Sequence, residues 1–480
     1  MLTPGGGTVT ELHDLSAMEQ ATAIRCGELS PVDLVEHYLA RIDLHNDSVG
    51  AFITVAADHA REQARAAEQA VADGAELPPL HGVPTAIKDL NNTAGLRTTF
   101  GSALMADFVP DVDDYVVIRL RTAGTINLGK TNTPEFGFPC YTQPAIAPPA
   151  RTPWDLSRLA AGSSGGAGAA VAAGLVPFAQ GSDGGGSIRS PASVCGLFGI
   201  KTARGRVSGG PYAANVTGLG VIGPMARSVR DAAAMLDAMA GPLPGDPYWA
   251  APLPAGESFL GHAERDPGRL RIGRYVDPVV PGAVVDPAVH AAWEDTSRLL
   301  GSLGHDVEDV APPLTAELIP YFETVWSLSA TTLPIDPGRV GELEPLTQWL
   351  RERGMATTAQ QAMTALMTLQ QHCRQAVASW SAYDVVLAPV CTLPPRPVDW
   401  FFADGYGAPD FERQKHFSAY TALYNMTGQP AVSIPLQWTP EGLPIGMMLV
   451  GRPADEATLI ALSAQLEAAR PWAQRHPSMW

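Results

Sequence analysis

Two glycine-rich loops that each carry serine constrain the fold of this chain more than any other feature. The loops are residues 161–166 and 181–189, and an Ala/Gly run at 167–174 and an apolar run at 175–179 separate them. A helix of about ten residues rises about 15 Å and a strand of about six residues spans about 20 Å. The second loop can therefore return beside the first, and we expect the serines of the two loops to meet.

Glycine has a chemical use in such loops. It removes Cβ atoms, permits positive φ and lets successive backbone N–H groups point at one anion or developing oxyanion. Glycine and serine clusters are also typical of turns and linkers. The residues between these two loops are too small and apolar for a flexible linker and favour a packed helix. The pattern therefore favours a hydrolase.

A lysine upstream of the loops is a candidate base. Lys88 ends the strand-like apolar run at residues 85–87. An isolated lysine is usually a solvated surface group. Burial at the end of a strand would instead lower its pKa and leave part of the population neutral. A neutral lysine can accept a proton, so Lys88 is either a surface residue or a candidate base.

Four stretches of the chain carry a family resemblance: residues 82–90, 162–166, 181–208 and 425–452. Together they resemble the amidase signature family, and the similarity is weakest between about residues 240 and 380. The resemblance implies an α/β fold, a three-layer α/β/α arrangement around a central mixed β-sheet.

The same resemblance implies one domain that spans residues 1–480. We divide it into N-terminal helices, a catalytic signature core, a variable substrate-side region and a C-terminal return to the core. These parts are residues 11–75, 76–240, 241–420 and 421–480.

The resemblance also implies the roles of individual residues. Ser187 matches the nucleophile, Ser163 matches the bridging serine that the family holds after a cis peptide, and Lys88 matches the base. A Ser-Ser-Lys relay of this kind works through an acyl-enzyme and needs no histidine. The N–H groups of Gly184, Gly185, Gly186 and Ser187 are predicted to form the oxyanion hole.

Some residues depart from the family pattern or support it. Ala161 stands where glycine is more common, and Gly184 stands where threonine or another side chain is common, so we expect a more mobile loop or a roomier pocket. Ser164 is predicted to support Ser163. Asp183 and Arg189 are predicted to pair and stiffen the loop.

Aromatic residues crowd the segments that should surround the site. Aromatic clusters more often belong to a core, but residues 136–141 form a proline-containing loop that cannot be a regular core element. An apolar substrate pocket is therefore predicted. The candidate substrate-binding residues are Phe136, Phe138, Cys140, Tyr141, Gly162 and Ser164, and further aromatic candidates are Tyr321, Phe322, Trp326, Trp400, Phe401, Phe402 and Tyr406.

Another hydrolase interpretation uses the first serine loop differently. Residues 162–166 satisfy G-x-S-x-G, the nucleophile elbow of α/β-hydrolases, with Ser164 as nucleophile. That motif requires a buried strand directly before it. Residues 151–158 are polar and contain proline, which disfavours the elbow.

Composition restricts the partners and the compartment. The formal net charge of −17 disfavours nucleic acid and anionic membrane surfaces. No apolar run reaches the length of a membrane span, and the N-terminus does not resemble a signal peptide. Five scattered cysteines predict reduced thiols in the cytoplasm. The histidines show no metal-ligand spacing, and we expect no metal, no cofactor and a monomer or homodimer.

Hydrophobic periodicity predicts alternating helices and strands, typical of an α/β sheet covered on both faces. Ser30 is predicted to cap a helix that begins at Pro31. Further helices are predicted at 56–72, 115–123, 228–239, 287–303 and 456–469, and strands at 85–87, 125–128, 175–179, 385–390 and 432–436.

The sequence thus predicts an amidohydrolase of bulky or N-aryl amides that also accepts carbamates (urethanes) and esters. Within the family, the alternative is the amidase subunit of a glutamyl-tRNA amidotransferase. An alternative of another class is a non-enzymatic binding protein on an amidase scaffold. Hydrolysis of a p-nitroanilide by the single chain would separate the three.

Overall fold

The computed structural model describes residues 11–213 and 215–480. Its helices are α1 (Ala17–Arg25), α2 (Pro31–Val49), α3 (Ala57–Ala72), α4 (Tyr115–Thr122), α5 (Gly165–Ala172), α6 (Arg189–Cys195), α7 (Val229–Met239), α8 (Phe259–His262), α9 (Pro287–Ser302), α10 (Ile319–Thr331), α11 (Pro345–Met355), α12 (Ala359–Ser379), α13 (Ala408–Phe417), α14 (Ala422–Thr427) and α15 (Glu456–Ala469). Its strands are β1 (Phe52–Val55), β2 (Pro84–Lys88), β3 (Ile126–Thr131), β4 (Phe178–Asp183), β5 (Phe198–Lys201), β6 (Val221–Ala226), β7 (Arg271–Arg274), β8 (Asp306–Asp309), β9 (Val385–Pro389), β10 (Ala431–Trp438) and β11 (Pro444–Gly451).

The strands form two sheets. The larger is mixed and has the order β4-β6-β5-β10-β11-β9-β7-β8, with parallel pairing only at β9-β7 and β7-β8. The smaller has the order β1-β3-β2. The predicted α/β architecture with a mixed central sheet is confirmed. The fourfold division of the chain stays a prediction, although β10 and β11, from its last part, lie in the middle of the larger sheet.

Both faces of the larger sheet are buried, as the alternation of helices and strands predicts. Along β9, Val385 and Leu387 belong to one hydrophobic cluster, while Val386 and Ala388 belong to the other. Successive side chains of a strand point to opposite faces, so this division places one cluster on each side of the sheet. Helices α5 and α6 contribute to one cluster, and α7, α9 and α15 to the other.

The two sheets meet at β2 and β4 without a continuous ladder of main-chain hydrogen bonds. Side chains bridge the junction instead: the amide N of Lys88 donates to Gln180 Oε1 at 2.9 Å, and Thr85 Oγ1 donates to Phe178 O at 3.4 Å. This junction brings the end of β2 to the last residues of β4.

The segment between the two glycine loops is the helix and strand that the sequence predicts, with shifted bounds. Helix α5 begins at Gly165, before the predicted start at residue 167, and is buried along its whole length. A Cβ on Gly166 would lie 2.3 Å from Asn132 N, so glycine allows the helix to touch that backbone. The predicted strand at 175–179 is displaced to β4, because Pro177 ends a bend and has no N–H for a ladder.

Other predicted elements agree closely with the structure. Ser30 Oγ accepts hydrogen bonds from Val32 N and Asp33 N, and Pro31 is the first residue of α2. The helix predicted at 456–469 is α15, with the same bounds. In the described part of the chain, no helix combines the length and the apolar character needed to cross a bilayer.

Candidate active site

Lys88 lies at the end of β2 with its side chain fully buried. Its Nζ donates to Ser163 Oγ at 2.7 Å and to Ser182 Oγ at 3.0 Å. Burial lowers the pKa of Lys88 to about 7, and the negative charge of Asp183 opposes this only in part. A substantial neutral fraction therefore exists at neutral pH, as the position of Lys88 in the sequence predicts.

Ser163 follows a cis peptide bond with Gly162 and is almost fully buried. The loop that contains Gly137 packs directly on Ser163. A Cβ built on Gly137 would lie 3.3 Å from Ser163 Oγ, so glycine at that position permits the approach. Ser163 is thus enclosed, and Lys88 Nζ is the hydrogen-bond partner of its hydroxyl.

Ser187 lies between β4 and α6, and its side chain reaches a cavity. The two serine loops lie side by side: Ser164 N donates to Ser187 O at 3.2 Å, and Ser164 Oγ donates to Ser182 O at 3.1 Å. Within residues 11–213 and 215–480, no hydrogen bond joins the side chains of Ser163 and Ser187. The final contact of the predicted relay therefore stays a prediction.

Ser164 itself is fully buried and hydrogen-bonded to the main chain of Ser182 in both directions. The strand that precedes it is β3, which ends at Thr131. The strand-to-serine connection of a nucleophile elbow is therefore missing from the described residues before Ser164, and the environment is that of a supporting group.

We call residues 181–189, which contain the predicted nucleophile Ser187, the nucleophile loop. A buried ion pair organises it. Asp183 Oδ1 accepts from Arg189 NH2 at 2.9 Å, and both side chains are fully buried. Asn425 joins them, since its Nδ2 donates to Asp183 Oδ1 and its Oδ1 accepts from Arg189 NH2. Burial alone would raise the pKa of Asp183, but the Arg189 guanidinium outweighs it and holds that pKa far below its usual range. Asp183 is therefore a permanent anion, and the predicted pairing with Arg189 is present.

The amides of the glycine loop are not equivalent. Gly186 has φ 139°, and its N–H donates to Asp183 Oδ1 at 2.7 Å. Among the hydrogen bonds of the described residues, none uses the amide N–H of Gly184, Gly185 or Ser187. These three amides are available for an oxyanion, whereas that of Gly186 is already engaged by the carboxylate.

A cavity of about 840 Å³, counted to its open mouth, leads to Ser187. Its wall is mostly apolar and comes largely from the variable region. The lining residues are Phe138, Cys140, Gly162, Gly185, Gly186, Ser187, Val279, Val280, Thr315, Leu318, Ile319, Phe322, Trp326, Phe411, Gln414, Lys415, Ser418, Ala419, Ala422, Leu423 and Met426.

Three of the candidate substrate-binding residues line this cavity, namely Phe138, Cys140 and Gly162. The other three, Phe136, Tyr141 and Ser164, are not among its lining residues. The ring centroid of Phe136 lies 6.3 Å from that of Phe100, and Tyr141 donates through its hydroxyl to Asp410 Oδ2 at 2.8 Å. Tyr141 and Ser164 are thus placed as supporting groups.

Of the variable-region aromatic residues, Phe322 and Trp326 line the cavity, whereas Phe401 stacks on Tyr141 and Tyr406 stacks on Phe402. Sequence analysis missed the aliphatic part of the wall, from α10 and α14, because apolar residues on a helix do not reveal which cavity they face. It also missed Ser182, whose hydroxyl is the second acceptor for Lys88.

The fold brings together one group that sequence spacing did not reveal. One ligand atom from each of Glu11, His13 and His37 lies within 4.8 Å of the others. The two imidazoles are hydrogen-bonded to each other at 3.0 Å. Burial, followed by the nearby Arg41 guanidinium, lowers the pKa of His13 to about 3. Added positive charge is therefore disfavoured there, and these residues do not line the cavity at Ser187.

Comparison with known proteins shows the family of this chain. A family model described as "Amidase" matches residues 33–460. The chain belongs to the amidase signature family.

Relatives in the amidase signature family match almost the whole chain. The AmiB2 protein of Mycobacterium tuberculosis is 40% identical over 480 residues, 98% of this chain and 99% of the relative. One glutamyl-tRNA(Gln) amidotransferase subunit from Synechococcus sp. is 35% identical over 490 residues, 96% of this chain and 99% of the relative. The solved structure of a 6-aminohexanoate cyclic dimer hydrolase has a TM-score of 0.90 and 32% identity, with 98% of this chain and 100% of that chain covered.

Proposed function

We propose that this amidase-family hydrolase works as a stand-alone enzyme that cleaves amide C–N bonds through an acyl-enzyme on Ser187. Lys88 and Ser163 serve as its proton relay. One observation carries the proposal: a buried lysine with a pKa of about 7 lies 2.7 Å from Ser163 Oγ. The loop that holds Ser163 also touches the loop of a serine that opens into a cavity.

Acylation begins with neutral Lys88. Its Nζ accepts the proton of Ser163, Ser163 accepts the proton of Ser187, and Ser187 Oγ forms a bond to the substrate carbonyl carbon. The carbonyl π electrons move to oxygen, and the free N–H groups of the glycine loop stabilise that oxyanion. Each such donor is typically worth about 3 to 4 kcal/mol of transition-state stabilisation.

Collapse of the tetrahedral intermediate releases the amine. The C=O bond re-forms as the C–N bond breaks, and the proton held on Lys88 returns through Ser163 to the leaving nitrogen. Water then attacks the ester of Ser187 with the same relay, which regenerates the serine and releases the acid. Each half-reaction restores neutral Lys88.

The cavity supports bulky, apolar substrates. Two of its polar side chains are already engaged: Gln414 accepts from Cys140 N, and Lys415 is paired with Glu323 and Glu412. Few groups remain to bind a polar amide, whereas the surrounding aromatic and aliphatic side chains suit N-aryl or other bulky amides. Aryl carbamates and esters fit the same cavity, and their leaving groups require less protonation.

The amidotransferase subunit is a second candidate, favoured by the Synechococcus relative. The apolar wall and the net charge of −17 weigh against charged tRNA as a partner. A non-enzymatic binding protein would not require the lowered pKa of Lys88 or its contact with Ser163.

The test is hydrolysis of a p-nitroanilide by the purified chain, together with labelling by a fluorophosphonate. We expect turnover without a partner protein and one label per chain, both lost in Ser187→Ala. Ser164→Ala is the matched control, because it removes a neighbouring buried hydroxyl and should keep the label. Labelling that survives in Ser187→Ala but disappears in Ser164→Ala would refute the assignment.

A further inference from the structure

We propose that Trp326 takes the place of a side chain at residue 184, and that the pair selects substrates with a flat group bonded directly to the scissile carbonyl or nitrogen. This specificity rests on the proposed amidase function of Ser187. The pair joins the nucleophile loop to α10, which belongs to the part of the chain where the family resemblance is weakest.

The space beside Gly184 explains why glycine is present there. An ideal Cβ on Gly184 would lie 3.3 Å from both Cη2 and Cζ3 of Trp326. The φ of Gly184 lies outside the left-handed region, unlike the φ of 139° at Gly186, so the backbone itself does not require glycine. A side chain at this position would instead meet the indole edge, which would have to give by a few tenths of an ångström even for a single methyl group.

This contact corrects one expectation from the sequence. The missing side chain at residue 184 was expected to leave a roomier pocket, but Trp326 fills that space. Trp326 is one of the residues that line the cavity, and Gly184 is not.

The indole is held in place by two other rings. Phe322 lies one helical turn earlier on α10 and stacks on Trp326 with centroids 5.7 Å apart and an interplanar angle of 21°. Phe138 meets Trp326 edge-on at 5.8 Å and 90°. A ring packed on two sides cannot yield easily to a bulky neighbour.

The two rings from α10 cover consecutive residues of the predicted oxyanion loop. A Cβ on Gly185 would lie 3.9 Å from Phe322 Cζ, next to the contact between Gly184 and Trp326. A substrate whose carbonyl oxygen faces these amides has its nearest substituent against a flat aromatic wall. A planar aryl group can stack there, whereas a tetrahedral ring carbon is thicker and must displace the indole.

The experiment compares two matched substrate pairs. On the acyl side these are the p-nitroanilides of benzoic and cyclohexanecarboxylic acid, and on the nitrogen side acetanilide and N-cyclohexylacetamide. For each enzyme the kcat/KM ratio of the aryl to the cyclohexyl compound is measured. Dividing each ratio by the wild-type ratio cancels the intrinsic reactivity of the substrates. The substrate pair whose ratio changes shows which side of the amide faces Trp326.

Three variants test the pair: Trp326→Ala, Gly184→Thr and the double variant. We expect Trp326→Ala to lower the aryl preference about tenfold in at least one substrate pair. Gly184→Thr should lower kcat/KM for the aryl substrate about tenfold, because the new side chain pushes against the held indole. In the double variant the threonine enters vacated space, so its added cost should fall below about threefold.

Matched controls make the same substitutions away from the cavity. A Cβ on Gly301 of α9 would meet no atom within 4 Å, and Trp249 is 66% exposed, so Gly301→Thr and Trp249→Ala should leave both ratios unchanged. Fluorophosphonate labelling reports whether each variant keeps a folded site. If Gly184→Thr does not fold, the ratios of Trp326→Ala decide alone.

With an active wild type, two outcomes would overturn the specificity proposal. One is that the effects of the two substitutions are additive, and the other is that Trp326→Ala leaves both ratios unchanged. A wild-type chain without activity on any amide would instead overturn the proposed function.

Discussion

At the scale of single residues, the chemistry of the site depends on how completely Lys88 is kept from water. Its side chain has no exposed surface, and the residues that contact Nζ are serines rather than carboxylates. The nearby carboxylate, Asp183, is paired with Arg189, so it restores little of the charged form. The same burial that lowers the pKa of Lys88, and so suits it to the proposed role of base, also makes its charged form costly for the fold.

The first prediction concerns catalysis by Lys88. The base must be neutral, so kcat/KM should rise with pH along a limb of unit slope and level off above a pKa of about 7. Lys88→Ala should lower kcat/KM by about 10² to 10⁴ or more. Lys88→Arg should not restore activity, because a guanidinium does not lose its proton. A pH–rate profile of the three enzymes checks this, and an arginine variant near the wild-type rate would exclude the general base.

The second prediction concerns the stability cost of Lys88. Its pKa is about 7 in the folded chain and about 10.4 when unfolded. Between these values the unfolded state binds more protons, so this residue makes the free energy of unfolding rise with pH. Lys88→Met removes that dependence. It should be more stable than the wild type at pH 7, and the advantage should shrink toward pH 10 by up to about 4 kcal/mol.

Urea unfolding of both proteins at several pH values measures this difference. The inactive Ser187→Ala variant is the control, because it removes catalysis without removing a buried titrating group. An advantage of Lys88→Met that does not change with pH would contradict the lowered pKa.

At the scale of elements, the nucleophile loop is fixed by residues from β4, α6 and α14. The ion pair of Asp183 and Arg189 leaves no polar atom of the carboxylate free, because loop amides and Asn425 occupy the remaining positions. The loop geometry therefore depends on β4 and α6, which flank the loop, and on α14, whose Asn425 is 242 positions from Asp183 in the sequence.

The third prediction breaks this ion pair. Arg189→Met leaves Asp183 buried without its counter-charge and should lower the free energy of unfolding by about 3 to 5 kcal/mol. Activity should fall as well, since Asp183 positions the loop amides. Arg269→Met is the matched control: its ion pair with Asp306 is exposed and screened by water, so its loss should change the free energy of unfolding little. Chemical denaturation of both variants makes the comparison, and equal losses would show that burial of the pair is unimportant.

The sequence predicted helices, strands and loops more reliably than the tertiary contacts between them. The cap at Ser30, helix α15 and the pair of serine loops follow from local patterns and agree with the structure. Strand β4 begins later than the apolar run at 175–179 predicts, because Pro177 lies within that run and cannot donate a main-chain hydrogen bond. The indole over Gly184 could not be predicted, because it comes from residues more than a hundred positions away in the variable region.

In the candidate site, too, some features were expected from the sequence and others depend on tertiary contacts. The contact of Lys88 with Ser163 was expected from the motif, and its lowered pKa from burial. The engagement of the Gly186 amide by Asp183 was not expected, because a glycine loop in sequence does not show which N–H groups already have acceptors. Cavity-lining positions on α10, α13 and α14 depend on tertiary packing alone.

At the scale of the whole molecule, charge and cavity wall act in the same direction on substrate choice. The chain carries a net charge of −17, and the cavity at Ser187 is lined mostly by apolar side chains. Neither feature attracts polyanions or small polar amides.

The fourth prediction follows from this combination. The chain should hydrolyse an anilide or aryl carbamate with higher kcat/KM than acetamide or glutamine, and neither partner proteins nor tRNA should increase the rate. An apolar pocket discriminates by only about 1 to 3 kcal/mol per methylene-sized group, so the substrate range should be broad. Kinetics on a panel of anilides, primary amides, carbamates and esters checks this, and a preference for acetamide would mean that the wall does not contact the substrate.

The late position of Asn425 in the sequence affects when the nucleophile loop can form during synthesis on the ribosome. Lys88, Ser163 and Ser187 leave the exit tunnel long before Asn425, whose Nδ2 donates to both the main-chain O and Oδ1 of Asp183. A nascent chain therefore contains the three proposed catalytic residues before it contains the Asn425 side chain that binds Asp183. We therefore expect fragments that stop before residue 425 to lack amidase activity, because they lack the side chain that joins Asp183 and Arg189.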